Sequence, residues 1–102
     1  MKLEYVSQEE LQKQIKNIFG RYFPDEKYRL FFFGSRVKGD NSLRSDIDLG
    51  VEGENQLPPK LKLEIEDELQ NLPILYKIDL VDFSKVSDGF KNKALKSAEF
   101  FN

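Results

Sequence analysis

Two carboxylates, Asp46 and Asp48, flank Ile47, and ten residues before them a Gly34-Ser35 pair closes the apolar run Phe31-Phe32-Phe33. The alternation of Asp46, Ile47, Asp48, Leu49 and Val51 suits a β-strand that sends both aspartates to one face and the apolar residues to the other. Two ionised carboxylates about 4 Å apart repel by roughly 4 kcal/mol at an effective dielectric near 20, so such a pair calls for a shared proton or a cation. A divalent ion is the better answer. Oxygen ligands on a rigid strand favour Mg²⁺ or Mn²⁺, and Mg²⁺ usually completes its shell with water and substrate phosphates. The chemistry indicated is that of a nucleotide.

Gly34-Ser35 supplies the complementary half. A glycine-led turn from a strand into a helix aims backbone N–H groups outward at the positive helix terminus, where phosphate binds. Arg36 and Lys38 add positive charge close by. The Gly34 to Gly39 spacing imitates a P-loop, but Asp40-Asn41 stands where that motif needs Lys and Ser/Thr, so the P-loop is rejected.

The elements that must position these groups follow from the periodicity. Ser7-Gln8-Glu9-Glu10 has capping-box spacing, and Leu11, Ile15, Ile18, Phe19 and Tyr22 recur at helical intervals as a core-facing stripe that stops before Pro24. Tyr28 to Phe33 reads as a central strand covered on both faces, and Asp40 to Ser45 as a loop that brings the aspartate strand back beside it. Gly53 to Pro59 reads as a linker leading into a second helix striped by Leu61, Ile65, Leu69 and Leu72, with Glu64, Glu66, Asp67 and Glu68 as its solvated face. A later strand carries Ile74, Tyr76, Ile78 and Leu80 on one side and Lys77, Asp79 and Val81 on the other. Phe90, Ala94, Ala98 and Phe101 mark a last helix. The terminal Phe100-Phe101 pair is equally suited to docking a partner and to covering the protein's own core.

With these residues in place, Gly34-Ser35, ten residues and Asp46-x-Asp48 resemble the signature of the DNA polymerase β-like nucleotidyltransferases, and the short chain is similar to the minimal, MNT-type branch. The resemblance spans roughly Phe31 to Phe83. It implies an α+β fold, a small mixed β-sheet backed by helices, and a third carboxylate on a later strand. Asp79 takes that third position because it lies on the polar side of its strand, with Asp82 as the fallback. The resemblance further implies that Asp46, Asp48 and Asp79 hold two Mg²⁺ ions, that Asp79 helps deprotonate the acceptor, and that Gly34, Ser35 and Arg36 bind the phosphates of ATP. Minimal nucleotidyltransferases of this kind resemble antitoxins that transfer AMP from ATP to a tyrosine of a HEPN-domain toxin. The expected activity is therefore protein adenylylation, and the alternative is a nucleotide-binding module that neutralises a helical partner by complex formation without turnover. Antibiotic nucleotidyltransferases share the motif but add a helical domain for the drug, for which 102 residues leave no room.

Composition narrows the remaining possibilities. Residues 1–102 are expected to form a single domain. With no cysteine and no histidine, thiolate catalysis is excluded and acid–base work falls to carboxylates, lysine or tyrosine. A net charge of -2 argues against an extended nucleic-acid footprint. No apolar run approaches a membrane span, Met1-Lys2-Leu3-Glu4 lacks a signal-peptide pattern, and the cytoplasm is the expected compartment.

Overall fold

The Leu30-Phe31-Phe32-Phe33 run is buried throughout, so the strand that carries it must be covered on both faces and lie inside a sheet. In the computed structural model, which describes residues 3, 6–25, 27–34, 37 and 46–102, this strand is β1 (Tyr28–Phe33). It lies between β2 (Ile47–Gly53) and β4 (Glu99–Phe100), antiparallel to both, and β3 (Ile78–Asp82) runs parallel to the far side of β2. The sheet order is β3-β2-β1-β4. The parallel step is the one that needs a crossover, and it is made by α2 (Pro59–Gln70).

Period-two alternation divides the core into two layers. Leu30, Phe32, Ile47, Leu49, Val51, Ile78 and Leu80 face α1 (Gln8–Tyr22) and α2, where Leu11, Ile15, Ile18, Phe19, Ile65 and Leu69 complete the larger cluster. Phe31, Phe33 and Phe83 form the smaller cluster, with Ala94 and Leu95 of α3 (Asp88–Leu95) packed against it. Gly50 permits this second layer. A Cβ there would overlap the Phe31 ring and come within 2.8 Å of Phe83.

The helix starts are set by side chains. Ser7 Oγ accepts the Glu10 N–H at α1, Ser87 Oγ accepts the Phe90 N–H at α3, and Pro59 opens α2. Tyr22 donates its hydroxyl proton to Glu68, and Arg21 pairs with the same carboxylate, tying α1 to α2. The mixed sheet with its helices is the α+β architecture that the family resemblance implied.

Three boundaries differ from the sequence expectations. α2 ends at Gln70, so Leu72 lies beyond it. β3 begins at Ile78: residues 71–76 are turns and bends around Pro73, although Ile74 and Tyr76 still pack against the core in the expected phase. The last helix stops at Leu95. Ala98 and Phe101 are not helical, because the tail gains more by pairing with β1: Phe101 donates to the Leu30 carbonyl, and the Asn102 side chain bonds both Leu30 N–H and the Tyr28 carbonyl. Phe100 packs on Phe31 and Phe101 on Phe32, at centroid distances of 4.8 and 4.7 Å, so the terminal aromatics cover the protein's own sheet. Ser35, Arg36, Lys38 and the Asp40 to Ser45 loop lie outside the described residues.

Candidate active site

The site is built at the end of β1. Gly34 follows Phe33 with φ at +84°, a left-handed conformation that side chains disfavour, and a Cβ on it would overlap Oδ2 of Asp48. Glycine is required here twice over. The strand turns away, and its backbone lies against the carboxylate.

Asp48 is the centre of the arrangement. It pairs in register with Phe33 on β1 and with Asp79 on β3, so the two aspartates sit side by side on the sheet face that α3 covers. Asp46, exposed, immediately precedes β2. Burial pushes the Asp48 carboxyl above its ordinary value, and the charges of Asp79 and then Asp46 push it the same way. The backbone N–H of Ile47 donates to the Lys77 carbonyl at 2.9 Å, fixing the register of the two acidic strands.

Among the described residues, no three acidic side chains are gathered tightly enough to make a ready-built metal cage. Asp48 and Asp79 are register neighbours, and Asp79 lies 3.7 Å from the Lys77 ammonium. The donor set nonetheless fits a hard divalent ion. It offers oxygen alone, and a half-buried Asp48 beside two like charges gains most from a cation.

Asp82 does different work. It is buried at 5% exposure, on the side of β3 shared with Ile78 and Leu80, and it accepts from Leu57 N–H, Ser84 N–H and Ser84 Oγ. It is a loop anchor, and the fallback assignment is set aside. Of the expected phosphate-turn residues, Gly34 is where it was expected, while Ser35 and Arg36 lie outside the described residues.

A cavity of about 360 Å³ opens beside Gly34 and Asp48, between the sheet and α3. Phe33 and Val81 wall it from the sheet; Phe90, Lys93, Ala94 and Ser97 wall it from α3 and the turn after it. The sequence reading named Phe90 and Ala94 only as the stripe of the last helix and brought none of the four to the site. A signal was present. Phe90, Ala94 and Ser97 stand at i, i+4 and i+7, an apolar stripe that ends on a hydroxyl.

The family described as Polymerase beta, Nucleotidyltransferase matches residues 13–101, nearly the whole chain. This chain belongs to that nucleotidyltransferase family. A relative from Haemophilus influenzae, described as a probable protein adenylyltransferase MntA, is 30% identical over 77 residues, which is 76% of this chain. The match spans 66% of that relative, just under two thirds of its length. Among solved structures, a chain of a toxin–antitoxin complex with AMP-PNP superposes with a TM-score of 0.71 at 21% identity, covering 87% of this chain and 70% of that one. A chain of the complex between tri-AMPylated Shewanella oneidensis HEPN toxin and MNT antitoxin gives 0.69 at 19% identity, with coverages of 92% and 71%. A protein from Sulfolobus solfataricus described as a candidate nucleotidyltransferase gives 0.55 at 23% identity, with coverages of 90% and 77%. At these identities the structural likenesses establish the nucleotidyltransferase fold.

Proposed function

We propose that this nucleotidyltransferase transfers AMP from ATP to a tyrosine hydroxyl of a HEPN-domain partner in the cytoplasm, and so acts as an antitoxin, with residues 1–102 working as a single minimal domain. One observation carries the reading: Asp48, raised in pKa by its burial and by the charges of Asp79 and Asp46, lies against the bare backbone of Gly34. An anion-repelling pair of carboxylates beside an accessible backbone turn makes chemical sense when a cation and a phosphate chain lie between them. The relative's description as a protein adenylyltransferase, and the fold likeness to MNT antitoxins complexed with HEPN toxins, point the same way. No helix among the described residues is long and apolar enough to cross a membrane.

In this mechanism Gly34, Ser35 and Arg36 would bind the triphosphate, and Asp46, Asp48 and Asp79 would hold two Mg²⁺ ions. When bound, the ions supply charge neutralisation for the triphosphate and the departing pyrophosphate. Asp79 accepts the proton of the acceptor hydroxyl as its oxygen bonds to the α-phosphorus. The bond from that phosphorus to the α,β-bridging oxygen breaks, and pyrophosphate leaves with the electron pair.

A second reading, a nucleotide-binding module that neutralises its helical partner without turnover, draws support from Lys77, whose ammonium competes for Asp79. Incubation with the HEPN partner, Mg²⁺ and ATP labelled at the α-phosphate separates the two. Covalent label on a partner tyrosine, abolished by Asp48→Asn while the complex still co-elutes, is the expected result. Co-elution without label supports the module, and full labelling by Asp48→Asn removes the catalytic assignment.

A further inference from the structure

The α3 cavity has carbon walls and few polar groups. Phe33, Val81, Phe90 and Ala94 supply the apolar surface, and its volume of about 360 Å³ lies at the small end of the roughly 300–1,000 Å³ typical of small-molecule sites. Opposite Asp48, the polar groups are Lys93 and Ser97. Ser97 Oγ is buried and has no hydrogen-bond partner among the described residues. A buried hydroxyl is nearly always paired, and an exception calls for an explanation such as a ligand group.

The cavity opens onto Asp48 and Gly34, so its occupant must be continuous with whatever lies there. Two parts of the reaction have a largely apolar body of suitable size: the nucleoside of the triphosphate and the aromatic ring of an acceptor. An acceptor tyrosine has a single polar side-chain group, the hydroxyl, and the reaction places that group at the α-phosphorus. It has nothing left to offer Ser97. A nucleoside carries ribose hydroxyls and ring heteroatoms separate from its phosphates, and it brings anionic phosphates within the range of a lysine.

We propose that the α3 cavity receives the nucleoside half of the triphosphate, that Ser97 hydrogen-bonds a ribose or base atom, and that Lys93 faces the phosphates as a cationic partner. The assignment rests on the proposed function, because it takes a metal-bound triphosphate at Asp48 as its starting point. It makes α3 and the turn after it, which lie forty residues or more beyond the Asp-x-Asp motif, the specificity-determining element.

The test compares equilibrium binding of ATP and of inorganic tripolyphosphate, each with Mg²⁺, to the intact chain and three variants. Tripolyphosphate has the anion without the nucleoside. Ala94→Phe fills the cavity and should weaken ATP by about tenfold or more while leaving tripolyphosphate within about twofold. Ser97→Ala should weaken ATP by about three- to tenfold and tripolyphosphate not at all, with an unchanged or higher melting temperature in the ligand-free protein, since an unpaired hydroxyl is lost. Lys93→Gln should weaken both ligands alike. Full ATP affinity in both Ala94→Phe and Ser97→Ala overturns the proposal, as does equal weakening of the two ligands in either variant. If Ala94→Phe binds ATP normally but no longer labels the partner, the cavity belongs to the acceptor and the proposal also fails. Failure of the unaltered chain to bind either ligand strikes instead at the triphosphate site itself, and so at the proposed function.

Discussion

The α-carbon of Gly34 lies so close to the Asp48 carboxylate that a β-carbon would overlap Oδ2. The backbone is also left-handed at this position, with φ at +84°. Gly34→Ala therefore incurs two penalties: about 1–2 kcal/mol for the conformation, and the displacement of Asp48 from its place beside Asp79. Urea unfolding should show a loss of about 1–3 kcal/mol, and partner labelling should fall below detection even where the variant is fully folded. A folded, fully active Gly34→Ala would mean that Asp48 is not held by this turn.

Asp48 should cost stability in the absence of metal. Burial and the charges of Asp79 and Asp46 raise its folded-state pKa above the ordinary 3.8, so the folded chain holds the proton more tightly than the unfolded chain does. Stability is then greatest below 3.8 and falls as pH rises through the raised folded value. In EDTA, Asp48→Asn should be more stable than the parent chain near pH 7, and the difference should vanish near about pH 3, where both side chains are neutral. Adding Mg²⁺ should stabilise the parent and not the variant, because only a folded chain with its carboxylate intact gains by binding. Chemical denaturation with and without the ion measures both effects.

Asp82 illustrates the opposite use of a carboxylate. It holds the chain before α2, through Leu57 N–H at 2.8 Å, and the turn after β3, through both donors of Ser84. Asp82→Ala leaves these donors without their acceptor and should cost about 2–4 kcal/mol in urea unfolding. Labelling per folded molecule should persist under conditions that keep the variant folded. A variant of normal stability that lost activity would return Asp82 to the list of metal ligands.

How much of this was legible in the sequence depended on whether a residue's role was fixed locally. The alternation around Asp48 and Asp79 gave the face of each strand because period two leaves no freedom once Ile47, Leu49, Ile78 and Leu80 are buried. Ser7 caps by local geometry and was equally visible. The end of the last helix was not, because Phe101 in helical phase with Ala94 and Ala98 is also a residue that β1 can bury, and a tertiary pairing of Glu99 and Phe100 with Phe32 and Phe31 decided the matter. The cavity was hidden for the same reason. Lys93 and Ser97 line a cavity with Asp48 only because α3 folds back over the sheet.

Glu52 should govern how firmly α3 is seated. It lies on β2 two positions beyond Gly50, accepts from Arg29 on β1, and pairs with Lys91 on α3, while the Arg29 guanidinium stacks 4.8 Å from the Phe100 ring of β4. The Arg29 and then the Lys91 hydrogen bonds hold its carboxyl below the ordinary 4.5, so its stabilising effect is complete above 4.5 and is lost as pH falls through the lowered folded value. Arg29 is half exposed, and solvent screening limits the expected loss in Glu52→Gln to about 1 kcal/mol near pH 7, smaller at high salt and closing in acid. Because Lys91 neighbours Phe90 and lies one turn before Ala94, the same variant should speed amide exchange in α3 while leaving α1 unchanged. Uniform exchange across the two helices would show that the ion cluster sits on α3 without holding it.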